Sequence, residues 1–218
     1  EEIVKVFNKY PYERIGGVMG NIVNAKNIKI PTFVKLKLKL FFLPEYGNGK
    51  FKISGATTNP IGKEKILKTE YLAGGLTAYR KDVFRYFIFD EDFFSGYAYL
   101  EDDDFSYRIS RKYVNIYTPY ARCLHFDSPN NRISPREFRR MYVQNFQYFF
   151  RKNIPQTFIR KVAFRIALFG IKHRVDQLPF PQIIALVMEE ILGKKITEVM
   201  RKIYRKTREV FKSLAFVK

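Results

Sequence analysis

The chain has 218 residues and carries 40 Lys+Arg against 21 Asp+Glu, a formal charge of +19. At 46% hydrophobic and 17% aromatic it has the apolar content for a packed core, which excludes disordered, collagen-like and low-complexity polymers. A single Cys123 excludes an internal disulfide framework or a cysteine zinc site, and no run nears the ~20 apolar residues of a bilayer span.

Glu2 to Tyr10 reads as a short helix, with Ile3, Val4, Val6 and Phe7 spaced for one face and Pro11 stopping it. The opening residues Glu1 to Lys5 lack the features of a signal peptide. Ile15 to Val23 reads as a buried strand. Lys35 to Leu40 alternates Lys and Leu with period two, which predicts an edge strand whose lysines guard against mispairing. The turn residues Pro44 to Gly49 and a second short strand, Lys50 to Ser54, would complete a hairpin-like excursion. Residues 55 to 70 read as a loop.

Tyr71 to Lys81 is apolar, interrupted by Gly74 and Gly75, and runs into a short helix at Asp82 to Tyr86. Adjacent glycines there mean that something approaches the backbone closely. Helical spacing resumes from Asp103 to Lys112, a strand follows from Val114 toward His125, and Ser134-Pro135 opens a capped helix. Beyond Pro155 amphipathic helices are expected over Phe158–Ile171, Gln182–Leu192 and Ile196–Leu214. From Arg136 onward there are 19 Lys/Arg against 6 Asp/Glu, compared with 21 against 15 before it. That tail suits polyanions: nucleic acid, anionic headgroups or phosphorylated sugars.

The acids Glu101, Asp102, Asp103 and Asp104 repel one another. A solvated helix start would tolerate them through the helix dipole. Tyr97, Tyr99, Leu100, Phe105 and Tyr107 around them predict partial burial instead, and a half-buried Asp of raised basicity suits general base catalysis.

The set Tyr71-Leu72-Ala73-Gly74-Gly75 … Tyr79-Arg80-Lys81, Phe89-Asp90-Glu91 … Phe94, Glu101-Asp102-x-Asp104-Phe105-x-x-Arg108, and a strand into Pro119 and His125 resembles the second half of a family 2 glycosyltransferase of the GT-A fold. The resemblance runs from Ile15 to His125. It implies an α/β fold, an incomplete GT-A (Rossmann-like) mixed sheet, followed by amphipathic C-terminal helices. Residues 1–153 would be the C-terminal portion of the GT-A domain and residues 154–218 a basic helical tail.

The activity implied is inverting transfer of a sugar from a nucleotide-diphosphate donor to an acceptor hydroxyl, with Asp102 as general base and Glu101 orienting the acceptor. Gly74 and Gly75 would line the sugar pocket, with Arg80, Asp104 and Arg108 on the substrate side; Asp104 and Arg108 have a second reading as a lock on the helix start. His125 would be a ligand of the diphosphate-bound metal, Mg²⁺ or Mn²⁺, or a hydrogen-bonded strand-end residue. The family's nucleotide-binding half and its metal motif have no counterpart in these residues, so a longer chain or a partner chain would supply them. A saccharide or lipid-linked acceptor, cell-surface polysaccharide or glycolipid synthesis, and a cytoplasmic, peripheral place on the anionic inner face of the cell membrane complete what the resemblance implies. Two other readings stay open: a basic nucleic-acid-binding module, for which no helix-turn-helix, RNP-like or zinc pattern is seen, and an inactive remnant that only docks.

Overall fold

The computed structural model describes residues 1–10, 14–24, 30–93, 99–126 and 133–192, and the chain divides into two compact units, Glu1–His173 and Arg174–Lys218. In the first unit an apolar stripe builds helix α1 (Glu2–Lys9), which buries Val6 against Ile15, Val18 and Ile116. Strand β1 (Ile15–Ile22) is buried along its first six residues, as expected of a strand covered on both faces.

The Lys35–Leu40 segment is not a strand. It lies in helix α2 (Thr32–Leu40), with Lys37 buried and Leu36 and Leu40 exposed. Unbranched Lys and Leu are strong helix formers, and that local preference prevails over the period-two pattern. The helix ends in a Schellman arrangement: Phe42 takes a left-handed φ of 50°, its N–H donates to the Lys39 carbonyl, and the Leu43 N–H donates to that of Leu38.

The expected hairpin is absent as well. Strands β2 (Glu45–Tyr46) and β3 (Thr58–Asn59) pair in parallel, and the Lys50–Ser54 stretch makes only the single bridge Phe51 to Thr57. Strand β4 (Leu67–Thr69) emerges from the expected loop because it pairs with a later strand.

Strand β5 (Thr77–Tyr79), helix α3 (Glu101–Ser110) and strand β6 (Val114–Cys123) complete the sheet region. The four-stranded mixed sheet has the order β4-β6-β1-β5, with β1 and β6 parallel at its centre and the outer strands antiparallel to them. One face packs on α1. The other holds Met19, Leu72, Val83, Phe105, Ile109, Tyr113 and Tyr117. Helix α4 (Pro135–Asn153) opens on the expected cap: Ser134 Oγ accepts from the Glu137 N–H and the Glu137 carboxylate accepts from the Ser134 N–H. It packs on α3, and helix α5 (Phe158–His173) packs on it in turn through Phe164 against Phe146 and Phe150. The first unit therefore extends to His173 and takes in α5, which the sequence assigns to the tail.

In the second unit helix α6 (Phe180–Leu192) starts two residues before its expected position. The Ile196–Leu214 reading lies outside the described residues. Among the described residues, no helix is long and apolar enough to cross a membrane.

Candidate active site

Helix α3 begins abruptly. Leu100, 9% exposed and at φ 75°, occupies the left-handed region that leucine rarely adopts, and its carbonyl accepts the Asp104 N–H at 3.0 Å. Phe105, fully buried, clamps the same turn by stacking on Phe89 at 4.1 Å and meeting Tyr79 edge-on at 5.1 Å. The four consecutive acids are thereby fanned about 100° apart around the helix, each into a different environment.

Glu101 is half-buried, and burial raises its pKa, opposed by its own backbone N–H and then assisted by the Asp102 charge. Asp102 is also raised, through burial, and a hydrogen bond from the Gly74 amide opposes the shift. That bond, Gly74 N–H to Asp102 Oδ2, is 2.7 Å long. Gly74 is required at this distance: a Cβ there would lie 2.6 Å from Asp102 Oδ1. Gly75 is looser, and a Cβ would meet His125 Cδ2 and Ile22 Cδ1 at 3.6 Å.

Four of the expected residues, Asp102, Gly74, Gly75 and His125, therefore converge. They meet beyond the carboxyl ends of the parallel strands β1 and β6, since Ile22 ends β1 and His125 follows β6. This is where open α/β sheets place ligands. Both glycines are exposed, so this edge is open to solvent. The main chain of His125 is fixed by Asn24, whose Oδ1 accepts the His125 N–H at 2.8 Å while its Nδ2 donates to the His125 carbonyl at 2.7 Å.

Three residues expected on the substrate side sit elsewhere. Arg80 lies at the opposite end of β1, its N–H donating to the Gly16 carbonyl and its guanidinium stacked over Phe7 of α1. Asp104 is fully buried and holds α3 to α4: Oδ2 accepts from Arg108 Nε at 2.9 Å and Lys152 Nζ at 3.1 Å, Oδ1 from Asn153 Nδ2 at 2.7 Å. Arg108 is committed to Asp104 and to the Ile88 carbonyl. Asp104 has both oxygens taken, and Arg108 commits Nε and one terminal nitrogen to these structural partners, which supports their second reading, a lock.

The divalent cation implied by the resemblance meets one carboxylate, Asp102, and one imidazole, His125, across the glycine pair. Among the described residues no group of three or more His, Cys, Asp or Glu could hold a metal ion. Such a donor set does not fit a cation site on its own. The Asp90-Glu91-Asp92 stretch offers no substitute, because Asp90 Oδ2 accepts from Lys152 Nζ at 2.5 Å and Tyr148 Oη at 2.7 Å.

Sequence reasoning missed the fullest consequence of the acidic run. Asp103 is buried, and burial pushes its carboxyl up to about 7; a Thr57 hydrogen bond opposes this, and the charges of Asp102 and Glu101 add to it. Tyr71 is pushed well above the ordinary range by burial and then by Asp103, and Tyr142 by burial, Tyr99 and Asp103. Tyr79 Oη is buried without a hydrogen-bond partner among the described residues, and its pKa is raised by burial and by Asp102. The available signal for these residues was aromatic density around the acids, but Thr57 comes from a loop that no spacing connects to them. No protein-family model, curated protein or solved structure matches the chain.

Proposed function

We propose that the chain carries the acceptor side of an inverting glycosyltransferase site of the family 2 kind, with Asp102 as general base. One observation supports this above the others: a burial-strengthened carboxylate anchored by a main-chain amide at an open glycine edge. With Oδ2 occupied by the Gly74 N–H, Oδ1 takes the proton of an acceptor hydroxyl. The hydroxyl oxygen forms its bond to the anomeric carbon on one face while the bond to the diphosphate oxygen breaks on the other, and the diphosphate leaves with the electron pair. A base raised toward neutrality while still ionised pulls harder on that proton than an ordinary aspartate. The oxocarbenium-like transition state is of the type shared with glycoside hydrolysis.

Glu101, beside it and also raised, orients the acceptor by hydrogen bonding. Gly75 leaves its backbone open to the sugar, Gly74 seats the base, and His125, next to Gly75, contacts the diphosphate. The nucleotide-sugar donor is held by a nucleotide-binding segment beyond these residues, which also supplies any Mg²⁺ or Mn²⁺ ligands. The acceptor is a saccharide or lipid-linked hydroxyl of cell-surface polysaccharide or glycolipid synthesis, handled at the inner face of the cell membrane.

The test joins the chain to a nucleotide-binding half of that family and follows nucleoside diphosphate release from nucleotide sugars in the presence of saccharide acceptors. Asp102→Asn should lower turnover by about 10²–10⁴-fold while leaving donor affinity unchanged. Turnover that survives this substitution, or that never appears in the joined protein, overturns the proposal.

A further inference from the structure

Helices α4 and α5 carry a second feature, away from the acidic turn. Residues 135–173 contain nine Lys/Arg against a single acid, Glu137, and that acid is occupied in the Ser134 capping box. Between the start of α4 and the end of α5 lies a groove of about 650 Å³, lined by Arg136, Arg139, Arg140 and Lys172 with Val143 and Gln144 among its walls, and by no acidic side chain. None of these four cations makes an ion pair among the described residues. Lys152, by contrast, is neutralised by Asp90 and Asp104.

The outward face of α5 continues the pattern. Phe158, Lys161, Val162, Arg165 and Lys172 fall on one helical stripe, opposite the buried Ala163, Ala167 and Gly170. Phe158 is 82% exposed and neighbouring Ile159 is 69% exposed. Cations interleaved with exposed apolar side chains on a helix surface are the pattern of an interfacial element on anionic lipid. RNA is the weaker occupant, because of the exposed apolar side chains Phe158, Ile159 and Val162 a single one has a π-face for a base to stack on.

We propose that the α4–α5 face docks on an anionic bilayer, with the Arg136–Arg139–Arg140–Lys172 groove taking a lipid headgroup phosphate and Phe158 and Ile159 entering the acyl boundary. Bidentate guanidinium contacts suit phosphate oxygens, and each cation near the surface adds to the attraction. The docking requires neither Asp102 nor any turnover.

Co-sedimentation with phosphatidylcholine vesicles containing phosphatidylserine tests this on the full chain. The protein should bind these vesicles and not pure phosphatidylcholine. R136Q/R139Q/R140Q should reduce partitioning by about a hundredfold, from a loss of roughly 1 kcal/mol per cation. Phe158→Ser with Ile159→Ser should weaken binding while leaving its salt dependence intact, and at roughly 0.15 M ionic strength both variants should unfold cooperatively at a midpoint no lower than the parent's. Equal binding to neutral vesicles, unchanged binding in the triple-arginine variant, or tighter binding to a short RNA hairpin at the same ionic strength overturns the proposal. Displacement from vesicles by inorganic phosphate at constant ionic strength overturns it in favour of a soluble phosphate ligand. Because vesicle binding is read without turnover, its failure is separate from a failure of the Asp102 reading.

Discussion

Four consecutive carboxylates with four different fates show how one helical turn converts a like-charge run into distinct chemistry. Asp104 is compensated by cations, Asp102 by a backbone amide, Glu101 by partial solvent, and Asp103 by remaining protonated well toward neutral pH. The last has a measurable consequence. Its folded pKa of about 7 stands above the ordinary carboxylate value of 3.8, so between those values the folded state holds a proton that the unfolded state has released. Stability linked to Asp103 is therefore full at acid pH and is lost as pH rises through that window, levelling off above it, with a total of no more than about 4 kcal/mol. Asp103→Asn carries no charge in either state. Urea midpoints measured from acid to neutral pH should show the variant gaining on the parent as pH rises. A constant difference between the two proteins would mean that Asp103 titrates normally.

Among the elements, α3 is held to α4 by polar contacts at the acidic turn and by Tyr107, which meets Phe149 edge-on at 5.8 Å. Asp104 joins Arg108 on its own helix to Lys152 and Asn153 on α4, and Lys152 goes on to Asp90. Removing the carboxylate leaves part of that network desolvated without its counter-charge, so Asp104→Ala should cost about 3–5 kcal/mol in equilibrium unfolding. A loss below about 1 kcal/mol would show that the helices are held by their aromatic contacts alone.

The legibility of elements followed from where their signals reside. The capping box of α4, the stripe of α1 and the buried run of β1 are local, and each was readable. Lys35–Leu40 was misread because its alternation conflicts with the helix preference of Lys and Leu. The partners of Asp104 lie 48 and 49 residues away on α4, a separation that no periodicity reports. The meeting of Asp102, Gly74, Gly75 and His125 was legible only as a set, because it depends on β1 and β6 lying parallel. Arg80 shares the glycine segment, yet β5 carries it to the far end of β1.

At the scale of the whole molecule the dominant quantity is the charge of +19. The mixed α/β architecture is dictated by apolar patterning, and among the described residues α4 and α5 together carry nine cations against one acid. A net charge of +19 stores self-repulsion in the compact state that the expanded chain relieves. Exposed ion pairs such as Lys5 with Glu1 and Glu2 return little of that cost, and the fully buried Asp104 is poorly reached by salt. Chloride should therefore act mainly on the repulsive part. Raising ionic strength from roughly 0.01 M to roughly 0.15 M shortens the screening length from about 30 Å to about 8 Å, below the spacing of many like-charge pairs. The thermal midpoint should rise over that interval, and the rise should be smaller in R136Q/R139Q/R140Q, which has already shed part of the repulsion. A midpoint that falls with added chloride would mean that attractive surface pairs outweigh the net charge.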